Sequence, residues 1–100
     1  MITVNEDRLV EEFLELVQVD SETKHEEEIA RVLKQKFSAL GVEVIEDDSI
    51  EKTGHGAGNL ICTLRGTLPN VEPIYFTSHM DTVVPGKNIK PVIEDGYIKS

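Results

Sequence analysis

Two polar side chains with complementary chemistry lie two positions apart in the second half of the chain. His79 and Asp81 follow the run Ile74–Ser78, whose residue types favour a β-strand. Residues two apart in extended backbone point to the same side, so both side chains are predicted to face one cleft, with Met80 turned away. Ligands of open α/β sheets bind at the carboxyl ends of strands, which is where the pattern puts this pair.

An imidazole beside a carboxylate suits two kinds of chemistry. The imidazole can ligate zinc while the carboxylate orients it or a metal-bound water. Alternatively, His79 and Asp81 are the histidine and aspartate of a nucleophilic triad. A catalytic zinc needs about three protein ligands. The second half of the chain offers no further cluster, since its other candidates lie in predicted turns (Glu72, Glu94 and Asp95) or in a strand predicted to be buried (Cys62). The spacing leaves both kinds of chemistry open. If the 100 residues were a zinc enzyme by themselves, they would not provide enough metal ligands.

The other histidines and a run of three glutamates are predicted to have no part in the chemistry. His25 lies in the first turn of a predicted helix and is expected on the surface. His55 lies in a glycine-rich run that precedes a strand, which excludes a phosphate-binding loop and predicts a mobile connection. Glu26–Glu28 are predicted to form a solvated first turn, where the helix dipole favours carboxylates.

The residues before the candidate pair predict two helices. The first spans Asn5–Val17, with its asparagine as N-cap and apolar residues at spacings of three and four. The second spans Lys24–Leu40, with Thr23 and Glu26 forming a capping box. Gly41 follows it as the left-handed residue that ends a helix.

Beyond the second helix the apolar period changes from 3.6 to 2, which predicts strands. One strand is predicted at 42–45, a second at Asn59–Arg65 with apolar residues on both faces, and a third at Ile74–Ser78. The dipeptide Asp95-Gly96 predicts a hairpin turn near the end of the sequence. Two helices followed by strands of a mixed sheet predict the α/β class.

Length and composition exclude several classes of protein. The 100 residues allow one domain, and a single cysteine excludes a disulfide framework. No apolar run reaches the ~20 residues of a membrane span, and the acidic start has no signal-peptide pattern, so a cytoplasmic location is expected. The net charge of −9 argues against nucleic-acid and anionic membrane partners. This charge belongs to residues 1–50, so it says little about a substrate of His79 and Asp81.

The segment Phe76–Pro85, Phe-Thr-Ser-His-Met-Asp-Thr-Val-Val-Pro, resembles the signature strand of the zinc exopeptidase and aminoacylase superfamily. The segments before it follow the order typical of the amino-terminal region of that family: an N-terminal helix, a Ser-x-x-x-His-Glu-Glu motif from Ser21, a helix that ends in Leu-Gly-Val, and Gly-Asn-Leu-Ile from Gly58. Residues 86–98 are most similar to the peptidase T-like tripeptidases.

This resemblance implies a role for each member of the candidate pair. His79 matches the first zinc-ligand histidine of the family. Asp81 matches the catalytic aspartate, which supports the metal site without ligating it. The remaining ligands, the general-base glutamate and a lid or dimerisation domain have no counterpart in the sequence. The resemblance therefore implies that residues 1–100 are the amino-terminal portion of a catalytic domain.

The same resemblance implies an activity for the complete protein. It is expected to be a zinc-dependent aminopeptidase with two zinc ions, which hydrolyses the N-terminal residue of small peptides by metal-activated water. A homodimer is expected, with a small peptide as substrate and neither nucleic acid nor membrane as partner. The 100-residue piece alone is expected to be inactive. The alternatives are an N-acyl amino acid deacylase, a carboxypeptidase, and a non-catalytic binding or assembly module.

Overall fold

Residues 2–100, which the structure describes, form two helices followed by four short strands in a computed structural model, with a short third helix between the first and second strands. The helices are α1 (Glu6–Val17), α2 (Glu27–Ala39) and α3 (Ile50–Thr53), and the strands are β1 (Glu43–Glu46), β2 (Leu60–Thr63), β3 (Val92–Glu94) and β4 (Tyr97–Lys99). The predicted α/β class is confirmed. Within the described residues the strands form two antiparallel pairs, β1 with β2 and β3 with β4, and not the predicted mixed sheet. None of the helices between residues 2 and 100 combines the length and hydrophobicity that a membrane span requires.

Helix α1 begins and ends as predicted. Its N-cap is Asn5, whose side-chain oxygen accepts a hydrogen bond from the backbone N–H of Arg8 at 3.0 Å. The apolar stripe is only partly covered, since Leu9 and Phe13 are 59% and 49% exposed. Lys36 of α2 forms ion pairs with two α1 glutamates at 2.9 and 2.7 Å. Solvent-exposed charges thus link α1 to α2. Part of the apolar face of α1 lines an open cavity.

Helix α2 begins three residues later than predicted, because the predicted capping box does not form. Lys24 has a φ of 77°, a left-handed conformation that a right-handed helix cannot include. The N-cap is Glu26 and makes no side-chain capping bond. The hydroxyl of Thr23 is used elsewhere, as described below. The end of the helix agrees with the sequence, since Gly41 follows its C-cap with a φ of 76°.

Helix α2 packs against the β1–β2 pair and supplies the buried core of the described residues. The buried apolar side chains are Ile29 and Ala30, which are 5% and 2% exposed. Cys62 of β2 is exposed, which corrects the prediction that it is buried. Within residues 2–100 its strand pairs with one neighbour, β1, and it lines an open cavity. The two-sided apolar pattern of β2 is therefore only partly covered within residues 2–100.

The predicted third strand, Ile74–Ser78, is not a strand in the structure. The segment pairs with no other strand among the described residues. Ile74, Tyr75 and Phe76 are 81%, 84% and 93% exposed. β-favouring side chains do not make a strand by themselves, because the backbone needs a neighbour to complete its hydrogen bonds. The prediction was wrong on pairing, which the residue types of a single segment do not determine.

The predicted hairpin is confirmed. Strands β3 and β4 pair in antiparallel fashion around Asp95 and Gly96, which have φ values of 51° and 78°. Two successive positive φ values are the geometry of the two-residue turn that matches the twist of paired strands. The local sequence was sufficient here because the turn itself sets the register of the two strands.

Asp47 joins the end of β1 to the start of β2. One carboxylate oxygen accepts hydrogen bonds from the Ser49 hydroxyl at 2.7 Å and the Asn59 backbone N–H at 2.8 Å. The other accepts from the Asn59 side-chain amide at 2.9 Å. The Ser49 hydroxyl, followed by the Asn59 donors, holds the pKa of Asp47 well below its ordinary value of 3.8. The folded state therefore favours the charged carboxylate.

We expect Asp47→Asn to lower the urea midpoint of the full-length protein at neutral pH. A carboxylate whose pKa is depressed on folding stabilises the folded state above its unfolded pKa. That stabilisation is lost as the pH falls below about 3.8, so the difference between wild type and variant should shrink there. The exposed Asp48→Asn is the matched control. Equal midpoints at neutral pH, or a difference that persists unchanged in acid, would contradict the prediction.

Candidate functional site

The connection between α1 and α2 binds the segment that carries the two candidate site residues. The backbone N–H of Thr82 donates to the carbonyl of Ser21 at 2.8 Å. The backbone N–H of Thr23 donates in return to the carbonyl of Thr82 at 3.2 Å. These bonds form a parallel bridge between Glu22 and Thr82. An interhelical loop thus anchors this segment.

Two carboxylates of the same connection hold the residues that follow. Glu22 accepts a hydrogen bond from the backbone N–H of Gly86 at 2.8 Å. Asp20 accepts one from the backbone N–H of Asn88 at 2.9 Å. Hydrogen bonds to charged acceptors are stronger than neutral ones. The connection and the segment 81–88 are therefore one structural unit, although they lie far apart in the sequence.

The side chain of Asp81 is oriented by the same connection. The hydroxyl of Thr23 donates to one carboxylate oxygen of Asp81 at 2.7 Å. This bond, supported by the nearby imidazole of His79, holds the pKa of Asp81 below its ordinary value. The carboxylate is consequently charged at neutral pH and fixed in one orientation.

His79 lies beside Asp81 and is open to solvent. Its Nδ1 atom is 3.6 Å from the second carboxylate oxygen of Asp81, and its side chain is 94% exposed. This distance is too long for a direct hydrogen bond, but the two groups attract each other when the imidazole is protonated. Because the Nδ1 edge faces the carboxylate, the opposite edge with Nε2 remains available to a ligand. The structure thus brings the two predicted residues together.

A cavity of about 760 Å³ lies in front of this pair. His79, Met80 and Asp81 all line it, so the prediction that Met80 turns away is wrong. Side chains alternate between faces only in a regular strand, and these residues are not in one. The cavity also has apolar walls from both helices, formed by Phe13, Leu16, Val17, Ile29, Leu33 and Phe37.

The described residues fit part of a zinc site. Within residues 2–100, no group of three or more histidine, cysteine, aspartate or glutamate side chains is arranged to hold a metal ion. His79 offers one nitrogen ligand and Asp81 a carboxylate beside it, a pairing usual around catalytic zinc. The donor chemistry therefore fits one ligand position and its supporting group, and any zinc bound here needs ligands from outside this set.

Glu26 is buried next to the cavity, which corrects the prediction that the three glutamates form a solvated turn. It is 4% exposed, whereas the two glutamates that follow it are exposed. Its carboxylate accepts hydrogen bonds from the backbone N–H groups of Lys24 at 2.5 Å and Gly56 at 3.0 Å. Burial by itself would raise the pKa of Glu26, but these donors and the nearby His55 outweigh it and lower the pKa.

His55 lies against Glu26 and lines the same cavity as the candidate pair. Its Nδ1 atom is 3.4 Å from a Glu26 oxygen, and its side chain is 38% exposed. The loop that carries it makes defined contacts, whereas the sequence predicted a mobile connection. The sequence signal was a histidine flanked by glycines, but its partner lies about 30 residues earlier and could not be identified. His25, by contrast, is exposed as predicted.

No protein-family model matches the chain. The chain is 71% identical over 97 residues to the uncharacterized protein YqjE of Bacillus subtilis (strain 168). This alignment covers 97% of the chain and 26% of that protein. It is 30% identical over 104 residues to peptidase T of Escherichia coli (strain SE11), an alignment of 91% of this chain and 24% of that protein.

Two solved structures share the fold at high identity. The aminopeptidase PepT of Bacillus cereus ATCC 10987 matches with a TM-score of 0.92 and 69% identity over 95% of this chain and 26% of its own. The chain resembles the amino-terminal portion of peptidase T-like proteins. A tripeptidase of Staphylococcus aureus subsp. aureus Mu50 matches with a TM-score of 0.89 and 53% identity, again over 95% and 26%. The predicted resemblance to the peptidase T-like branch is confirmed, and the chain spans about a quarter of the length of these relatives.

Proposed function

We propose that the complete protein is a zinc-dependent aminopeptidase that removes the N-terminal residue from small peptides, and that this chain supplies one zinc ligand, His79. The observation that carries the proposal is the His79–Asp81 pair, whose carboxylate is fixed by Thr23 at 2.7 Å. Support comes from the names of the similar structures, an aminopeptidase and a tripeptidase. Because the chain is 69% and 53% identical to these two structures, a different reaction has less support.

Each residue of the site has a distinct task in this proposal. His79 offers its Nε2 atom to the metal, with its other edge toward Asp81. Asp81 keeps the imidazole oriented and adds negative charge near the metal, which strengthens binding of a cation. Thr23 fixes Asp81, so the carboxylate needs no rearrangement when the site is loaded. Bound zinc would supply a water of lowered pKa and would polarise the peptide carbonyl.

The proposal assigns residues 1–100 to the amino-terminal portion of a catalytic domain. The further metal ligands, the general-base glutamate and a lid or dimerisation domain then belong to the rest of the protein. A second zinc ion, a homodimer and a cytoplasmic location remain predictions. By the same logic, an isolated 1–100 piece should bind zinc only weakly and show no peptidase activity, because one histidine cannot complete the site.

A substrate panel tests the proposed function. The full-length protein would be incubated with free-amine tripeptides, N-acetylated amino acids and peptides that report release of the C-terminal residue. We expect release of the N-terminal residue from tripeptides, its loss on treatment with a chelator and its return with added zinc. Cleavage of N-acetylated amino acids alone would indicate a deacylase, and release of the C-terminal residue alone a carboxypeptidase. Either result, or activity that survives metal removal, would contradict the proposal.

We expect Thr23→Val to lower kcat/KM of the full-length protein, with a loss near the bottom of the ~10–100-fold range typical of groups that support a metal ligand. Valine has nearly the shape of threonine but cannot donate to Asp81. Thr23→Ser keeps the hydroxyl and should retain most of the activity, while the exposed Thr67→Val is the control. Zinc affinity, measured by chelator competition, should follow the same order. Equal losses in the serine and valine variants would show that the hydroxyl is not what matters.

A further inference from the structure

We propose that His55 is a substrate-binding residue of the same site and donates a hydrogen bond from Nε2 to a carbonyl or carboxylate oxygen of the peptide. This inference rests on the proposed function and deepens it, since it adds a group from the Gly54–Gly58 loop to the site. Three observations carry it: the buried carboxylate behind His55, the fixed loop around it, and its place in the wall of the cavity.

The carboxylate behind His55 has a role that the metal site does not explain. Glu26 is 4% exposed, and a buried anion is costly unless it is paired and hydrogen-bonded. Backbone N–H groups of Lys24 and Gly56 satisfy part of its hydrogen-bonding capacity. The group that faces it with a possible positive charge is His55, at 3.4 Å. Glu26 therefore attracts the imidazole of His55 when that imidazole is protonated.

The loop around His55 cannot easily move away from Glu26. The backbone N–H of Gly56 donates to Glu26, and the backbone N–H of Gly58 donates to Glu46, both at 3.0 Å. A Cβ atom at position 56 would lie 2.7 Å from the backbone nitrogen of Glu26 and would collide with the Glu27 carboxylate. Glycine is thus required for this close approach. The approach holds His55 against the carboxylate.

The second edge of the imidazole is left for the cavity. With Nδ1 directed at Glu26, Nε2 lies on the opposite edge of the ring, and His55 lines the cavity together with His79 and Asp81. The three residues do not form a metal-binding group among the described residues. A role for His55 as a further metal ligand is therefore not favoured. A contact with the substrate, by contrast, does not require His55 to lie close enough to His79 to share a metal ion.

The Nε2 edge of the His55 imidazole is suited to donate a hydrogen bond to an oxygen atom. When the imidazole of His55 is protonated, both of its nitrogens are donors, so Nδ1 can face the Glu26 carboxylate while Nε2 faces an oxygen of the substrate. A small peptide offers carbonyl oxygens and a C-terminal carboxylate, and both accept such a bond. Charge-assisted bonds in a partly enclosed cavity discriminate strongly between substrates that can and cannot make them.

The test compares His55→Gln and His55→Ala with wild type and with His25→Gln, a matched change at an exposed histidine. Kinetics of the full-length protein would be measured on a tripeptide and on the corresponding tripeptide amide. Thermal unfolding and zinc stoichiometry would be measured on the same samples. We expect KM to rise about tenfold or more in both His55 variants, with kcat changed much less and zinc content unchanged. The unfolding temperature should fall in both variants, because Glu26 loses its imidazole partner.

The two substrates identify the oxygen that His55 contacts. A rise in KM for the acid alone assigns the bond to the C-terminal carboxylate, and a rise for both substrates assigns it to a carbonyl; both results support the proposal. Wild-type KM in both variants overturns it. Loss of zinc would make His55 a ligand instead, and a lower unfolding temperature with normal KM would make it structural. If the wild-type protein cleaves no peptide, the proposed function itself is wrong. That outcome is distinct from a failure of the His55 proposal.

Discussion

The full-length protein with His79→Ala should lose its peptidase activity, with kcat/KM reduced by more than the ~10–100-fold that follows loss of a partner to a metal ligand. Alanine removes the nitrogen that we assign to the metal, so bound zinc should fall together with activity. The fold should be retained, since the side chain is 94% exposed and exposed substitutions usually change stability by no more than about 0.5 kcal/mol. Steady-state kinetics, metal analysis and thermal unfolding of one preparation measure all three.

His25→Ala is the matched control for this variant. His25 is also an exposed histidine, and no task in the site is assigned to it. It should keep wild-type activity and zinc content. If His79→Ala keeps full activity, or loses activity while it keeps all its zinc at normal affinity, the assignment of His79 as a metal ligand is wrong.

The second large effect is expected for Asp81→Asn. Asparagine keeps the size of the side chain and can still accept the hydrogen bond from Thr23, but it removes the negative charge beside His79. We expect kcat/KM to fall about 10–100-fold and zinc affinity to weaken by a similar factor. Chelator competition would measure the affinity, and tripeptide hydrolysis would measure the rate.

Asp48→Asn provides the control, because it makes the same chemical change at an exposed aspartate outside the site. Wild-type zinc affinity in Asp81→Asn would mean that the carboxylate does not support the metal. A large loss of activity with that affinity intact would instead move Asp81 from supporting the ligand to acting on the substrate.

The sequence predicted well those elements whose signals are local. Helix α1 has its cap and its apolar stripe within thirteen residues. The β3–β4 hairpin has its turn signal, Asp95-Gly96, directly between its two strands. Failures came where distant residues decide. Thr23 is a reasonable helix cap by sequence, but its hydroxyl donates to a residue 58 positions away. The run Ile74–Ser78 has the composition of a strand but no neighbour to pair with among residues 2–100.

The site divides in the same way. His79 and Asp81 could be found because their spacing and the surrounding segment carry the family resemblance. Glu26 and His55 could not be found as a pair, since each has a common explanation when considered alone. A glutamate at a helix start is usually solvated, and a histidine among glycines is usually in a loop. Only the burial of Glu26 and the 3.4 Å distance to His55 connect them.

The contacts between the α1–α2 connection and segment 81–88 have a consequence for how the site forms. They join residues 58 to 68 positions apart, so the first of them must close a long loop. Closing a loop of that length costs on the order of 3–4 kcal/mol of chain entropy, and each later contact costs little more once the loop is closed. The bonds made by Asp20, Ser21, Glu22 and Thr23 should therefore form and break together. The orientation of Asp81 is then a cooperative property, present when this loop is closed and absent when it is open.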